Sequence, residues 1–321
     1  MEGRVHVDAA LSNVSVGYKN GKTIAEALAP VVPVGNSTGR YYLSGKERFR
    51  VRNDARAAGT AATMTRMTLS DVAFIITGHA MKDSVPRQTQ NDQDPGLDLI
   101  TDLTEGLTEQ VGLNQEYNLA AQIATDMTGT SVETQAAQPW DSDDTDPIAI
   151  ISRARMRGAK RCGAFCNVLG LGPDTFEAIC NNANTRNLIL GASTLPASLI
   201  TPAALAARLQ LDEVVVGTMV YDTVNEGQTA DLAFVWGGKA VLVVRPASPG
   251  RMTLSTLYHY VWRNALASVA GAAVQGVNGV GQFVRRWFDE ELIADWIEVN
   301  KHYVQKAVAP ESGTYFTNCC S

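Results

Sequence analysis

Four histidines (His6, His79, His259 and His302) and five cysteines (Cys162, Cys166, Cys180, Cys319 and Cys320) are the groups in this 321-residue chain suited to general-base, nucleophilic or metal chemistry. No histidine lies near a nucleophile motif. His79 and Asp83 are close in sequence, but alternation along a strand explains that spacing without a dyad. Cys162 and Cys166 stand at i,i+4 and can share a helix face, but only Cys180 is near enough to add a further ligand, short of a tetrahedral zinc set. An odd cysteine count without a secretory leader favours free thiols, and Cys319 and Cys320 fall in what reads as a flexible tail. The acidic run Asp141, Asp143, Asp144, Asp146 lacks the central glycine and terminal glutamate of a calcium loop. Gly276, Gly279 and Gly281 have the wrong order for a dinucleotide loop, and no glycine loop leads into a Walker-type GK[ST]. No enzyme, metal or cofactor is expected. A hydrolase remains only as a remote alternative, requiring an activity that disappears when one histidine is replaced.

The charge pattern is more informative than the chemistry. From Gln88 to Ser152 there is no lysine or arginine, yet the segment holds thirteen acids, among them Asp98, Asp102, Glu105, Glu109 and Glu116. Just upstream, Arg40, Lys46, Arg48, Arg50, Arg52, Arg56 and Arg66 are set against only Glu47 and Asp54. A basic arm followed by an acidic element suits a subunit that binds copies of itself. The net charge of −6 argues against a dedicated nucleic-acid binder. No apolar run approaches the ~20 residues that span a bilayer, so a cytoplasmic protein is expected.

The elements that carry these charges can be read from periodicity. Residues 1–32 read as an arm draped over something. Residues 33–71 read as a projecting β-hairpin in which RYYLSGKERFRVRN alternates, with Phe49 and Val51 on one side and Arg48, Arg50 and Arg52 on the other. Its tip is the Ala/Gly/Thr stretch 55–63, and its return becomes continuously apolar at 73–76, as if entering a buried sheet. A long helix follows at about 95–127, with Asp94 as cap and Pro95 as first residue. Ile100, Leu103, Leu107 and Val111 share one face of it, and Asp98, Asp102, Glu105, Glu109 and Glu116 the other. Gly106 and Gly112 ease bending there or admit a close neighbour. Residues 147–246 read as mixed α/β, starting with a helix capped by Asp146 and bearing Arg153, Arg157, Lys160 and Arg161. Long strands return over 247–321.

The succession LSNVSVGYKNGKTIAEALAPVVPV, Tyr41-Tyr42, KERFRVRND, DPGLDL, WDSDDTDPIAII, LGLGPDTFEAI, DEVVVGTMVYDTVNEGQTADLAFVWGGKAVL, PASPG and RRWFDEELIADWIEVN resembles major capsid proteins of tailed bacteriophages. The likeness spans nearly the whole chain in order. It implies an α+β, Hong Kong 97-like capsid fold: an N-terminal arm (1–32), an extended loop (33–71), a peripheral domain with a spine helix (72–146), an axial domain (147–246), and peripheral return strands with a C-terminal tail (247–321). It also implies hexamers and pentamers in an icosahedral shell around packaged double-stranded DNA, in a virion assembled in the host cytoplasm. In this family the extended loop lies over a neighbour's peripheral domain, so Arg48, Arg50 and Arg52 are expected to face Asp98, Asp102, Glu105 and Glu109 of an adjacent subunit. The chain starts directly with the arm, so a separate scaffolding protein is expected, together with a portal protein and possible decoration proteins. An encapsulin-type compartment shell is the alternative reading.

Overall fold

Every second residue of ADWIEVNKHYVQKA points to one side, and this alternation builds the strand around which the first sheet assembles. The computed structural model describes residues 20–66, 68–92, 98–225, 227–250, 253–263, 274–278 and 282–320. In chain order the elements are α1 (Ala25–Leu28), β1 (Val31–Val34), β2 (Thr38–Ser44), β3 (Leu69–Ile75), β4 (Thr77–Pro86), α2 (Arg87–Asn91), α3 (Leu99–Asp126), β5 (Val132–Thr134), α4 (Pro147–Cys162), β6 (Val168–Leu171), α5 (Pro173–Asn181), α6 (Ala183–Leu190), α7 (Pro202–Leu209), β7 (Glu213–Val216), β8 (Val220–Asp222), β9 (Leu232–Phe234), β10 (Ala240–Val243), β11 (Leu257–Trp262), β12 (Val274–Asn278), β13 (Gln282–Asp289), β14 (Ala294–Ala307) and β15 (Thr314–Thr317). No helix among the described residues is long and apolar enough to cross a membrane.

Strand β14 pairs with β4 over 294–303, with β13 over 294–301 and with β11 over 303–307, while β1 joins β11 in parallel and β12 extends β13. A second sheet runs β5-β15-β10-β6-β7. Its strand β6 is buried throughout, as a run with no alternation requires when both faces are covered. One face packs Leu169, Leu171 and Leu242 against α4, α5 and α7, centred on Trp140 and Phe316. The other packs Val168, Val241 and Val243 against Leu28, Leu119, Ile123 and Trp236.

Helix α3 lies on the first sheet through two apolar patches. Leu107 and Val111 meet Ile297 and Val299, with Ile100 and Leu103 beside them, which is the face expected from their spacing. Farther along, Leu119, Ile123 and Met127 meet Leu257 and Ala307. Between the patches is a buried polar band. Gln115 receives a hydrogen bond from Lys301 and approaches His259 Nδ1 at 3.3 Å, while Glu26 lies 3.5 Å from the Lys301 ammonium. Burial among these groups, with Lys301 nearby, holds the His259 imidazole down at about 3. His259 is therefore neutral in the fold, whereas an unfolded imidazole takes up its proton near pH 6.5. Its contribution is complete above that pH. It declines by up to about 1.4 kcal/mol per unit as pH falls from 6.5 toward 3, because the unfolded state then binds the extra proton. Denaturant melts at pH 6.5 and pH 4 should converge in His259→Gln relative to the parent, and parallel loss in both proteins would contradict this burial.

Several expectations need correction. Helix α3 begins at Leu99 with Asp98 as its cap, accepting from the Thr101 N–H at 3.2 Å; Asp94 and Pro95 lie outside the described residues. The stretch through Arg48, Arg50 and Arg52 is no strand: β2 ends at Ser44, Lys46–Phe49 form a single 3-10 turn, and 50–56 have no regular structure. Residues 73–76 are not continuously buried either. Phe74 and Ile76 point inward while Ile75 stays exposed, because β3 pairs only with β2 among the described residues. Residues 1–19 of the arm lie outside the described residues, and 24–29 do not drape over a surface: Ile24, Ala25, Leu28 and Ala29 are core. Nor is the end of the chain a loose tail. Tyr315 and Phe316 drive β15 into the second sheet between β5 and β10, and Cys319 is fully buried, with its carbonyl accepting from Trp140 N at 2.7 Å.

Candidate assembly interface

Register pairs Thr38 with Ile75 and Ser44 with Leu69, so β2 and β3 form a ribbon that no third strand covers among the described residues. Its root is aromatic. Phe74 stacks on Tyr260 at a 4.2 Å centroid separation, and Gly39, directly opposite Phe74, leaves room for that ring; a Cβ there would sit 2.5 Å from it. The Ala/Gly/Thr tip supplies no core, so apolar side chains beyond the root remain in solvent. Val51 is 96% exposed and Phe49 63%. Covering such a side chain is worth about 1.5–3 kcal/mol, which makes this surface suited to a partner.

The loop's cations have unequal roles. Arg40 pairs with Asp71 across the ribbon at 2.6 Å, and Lys46 pairs with Glu311 of the same chain. Arg52 Nη1 donates to the Met64 carbonyl at 3.3 Å and Arg56 Nε to the Thr60 carbonyl at 2.5 Å, tying the loop to itself. The Phe49 ring lies against Gly163, which follows α4 with φ of 76°; a Cβ there would approach within 2.8 Å of the ring. The base of the loop thus leans on the end of α4. Arg48 and Arg50 are exposed, while Arg52 is half-buried.

The acids also divide. Asp98 is engaged as the helix cap, and the Thr101 hydroxyl and N–H hold its carboxyl below the usual range. Asp102 and Glu105 are exposed, and Glu109 is half-buried. Glu116 departs from the expected stripe altogether. It is fully buried and accepts from Thr23 Oγ1 at 2.5 Å, Ala25 N at 2.8 Å, Ile24 N at 3.1 Å and Trp236 Nε1 at 2.5 Å. One carboxylate therefore ties α3 to the start of α1 and to the turn after β9. The signal was present in the sequence: Glu116, Leu119 and Ile123 are i, i+3 and i+7, which places the acid on the apolar face of the second half of α3. Gly106 and Gly112 have nothing among the described residues within 4 Å of a built Cβ, so no close neighbour among them requires glycine there.

Among the described residues, several of the groups considered for chemistry have structural partners. Thr77 Oγ1 is 3.0 Å from His79 Nε2, and the His79 ring stacks on Tyr303 at 4.3 Å. Asp83 is four residues farther along β4, about 13 Å away at strand rise, too far for a dyad. His302 stacks on Phe283 at 5.8 Å, and His6 lies outside the described residues. Burial pushes the Cys166 thiol up to about 12 and Cys180 to about 11, opposing thiolate chemistry. Asp143 accepts from Ala183 N at 2.9 Å, and Asp146 caps α4 by accepting from Ala149 N at 3.0 Å. Gly276 lies within β12, while Gly279 and Gly281 lie outside the described residues.

An arm segment in the core, a projecting ribbon, a long helix on a sheet and a second α/β sheet together make the α+β, Hong Kong 97-like fold of tailed-phage capsid shells. No family model matches the chain. In sequence it is 22% identical over 249 residues to the major capsid protein of Burkholderia phage BcepMu, covering 76% of this chain and 78% of that one. In structure it matches a phage-related protein from Bordetella bronchiseptica at a TM-score of 0.67 and 21% identity, covering 94% of each chain. It matches the capsid of cyanophage P-SCSP1u at 0.62 and 10% identity, covering 97% and 92%. The SrpI encapsulin of Synechococcus elongatus matches at 0.55 and 12% identity, covering 99% and 96%. Sequence and fold agree on the resemblance to major capsid proteins of tailed phages.

Proposed function

We propose that this chain is the major capsid protein of a tailed phage, assembling with copies of itself into the head shell that encloses double-stranded DNA. One observation carries the reading: the likeness to a phage major capsid protein runs through 249 residues of sequence, and the same shell fold recurs over nearly the whole chain in phage capsids. The surface supports it, since the ribbon and its loop hold apolar side chains in water that a neighbouring subunit would cover. The role is structural rather than enzymatic, and its place is the virion. A scaffolding protein, a portal and decoration proteins are the further partners, with assembly in the host cytoplasm. We divide the chain into arm, extended loop, peripheral and axial regions, assigning β5 and β15 to the axial region because they share its sheet.

The interface is narrower than the charge pattern first suggested. Arg50, with Arg48 beside it, meets Asp102 and Glu105 of the adjacent subunit; Asp98 serves its own helix and Arg52 its own loop. Exposed ion pairs contribute about 0–1 kcal/mol each, so these contacts set register and partner choice, while covered apolar side chains and repetition around a closed shell supply strength. An encapsulin-type compartment is the second reading, favoured by the encapsulin neighbour. The contents of purified particles separate the two: nuclease-protected DNA supports a phage head, and an enclosed enzyme supports a compartment.

A further inference from the structure

The charged surface least accounted for by assembly is the outer side of α4. Arg153, Arg157 and Lys160 are all exposed and recur at i, i+4 and i+7, so they form one row along the helix. Beside the row, between α4 and β5, is a cleft of about 450 Å³ whose lining includes Arg153, Arg157, Thr134 and Gln138. A carboxylate lines the same cleft: Glu133, paired with Arg157. That pair is partly exposed, and such pairs are weak enough to exchange with another anion.

We propose that this face of α4 is a contact surface for the phosphate backbone of duplex DNA, and this rests on the reading of the chain as a DNA-enclosing shell protein. The geometry fits a polyanion. From Arg153 to Lys160 the helix rises about 10 Å, a length over which one strand of duplex carries about three phosphates at 3.4 Å each. Thr134 and Gln138 supply neutral donors of the kind that hold phosphate oxygens without reading sequence. Charge complementarity explains why a row is needed: each subunit carries a net −6, so a shell of such subunits repels the DNA it encloses unless cations are gathered where the two meet.

The test measures binding of a short random-sequence duplex to the purified full-length, unassembled subunit across a salt series. The logarithm of affinity should fall with the logarithm of salt. In Arg153→Gln/Arg157→Gln/Lys160→Gln the slope should shrink by about 2 to 3, at roughly 0.9 per contact removed. Lys160→Gln alone should lose about one contact's worth, which keeps the test informative if the triple variant folds poorly. Lys22→Gln/Arg208→Gln/Lys239→Gln removes the same charge elsewhere on the exposed surface and should leave the slope in place. Equal loss in both triple variants, an unchanged slope in the first, or no salt-sensitive binding by the parent overturns the assignment. Failure of the parent to form shells, scored separately, would instead overturn the capsid reading.

Discussion

Glu116→Ala is expected to destabilise the subunit by on the order of 3 to 5 kcal/mol, a large share of an ordinary domain's margin. The substitution removes the acceptor of the Thr23 hydroxyl and orphans the buried N–H groups of Ile24 and Ala25 and the buried Trp236 indole N–H. The loss should be uneven. Ile24, Ala25, Leu28 and Ala29 enter the core behind this carboxylate, so limited proteolysis should cut within 20–34 before the sheets unfold. Glu116→Gln keeps one acceptor oxygen but turns an N–H₂ toward donors, so it should fall between the parent and alanine. Urea melts of the three proteins, read with the cleavage pattern, provide the check. An alanine variant as stable as the parent would contradict the buried role.

The second large effect concerns assembly rather than folding. Arg50→Glu should leave the melting curve of the subunit within about 0.5 kcal/mol of the parent, because its side chain is exposed and lies beyond the ribbon. It should sharply reduce shell formation, since each subunit repeats the unfavourable contact around the shell. Adding Asp102→Lys or Glu105→Lys should restore part of the yield by reinstating opposite charges. Asp98→Lys is a poorer rescue because it removes the α3 cap as well. Light scattering during assembly measures all of these, and full-yield shells from Arg50→Glu would sink the pairing.

How much of this was legible in the sequence depended on whether the signal was local. The first half of α3 was readable because Ile100, Leu103, Leu107 and Val111 obey one period and pack on one surface. The cap of α4 at Asp146 was likewise readable from a short polar residue ahead of proline. Glu116 was misplaced because its partners, α1 and Trp236, lie more than ninety residues away in sequence and only the folded chain brings them to α3. The fate of β15 was hidden for a similar reason. TYFT near a chain end carries no mark of its partners, and only the second sheet supplies a slot for it between β5 and β10. In the loop, alternation of arginine with Phe49 and Val51 looked like a strand, but among the described residues no partner strand continues past Ser44, and the backbone turns instead. The candidate interface was therefore visible as charge composition and only partly as geometry. The sequence could not reveal that Asp98 and Arg52 already have work within their own chain.

Closure of this chain into shells is read out by electron microscopy of the purified protein, alone and with a proposed scaffolding protein. The expected result is closed particles of uniform diameter built from hexamers and pentamers, with the 38–75 ribbon of each subunit lying over its neighbour. A protein that remains a small monomer in every condition, scaffold included, would contradict the account.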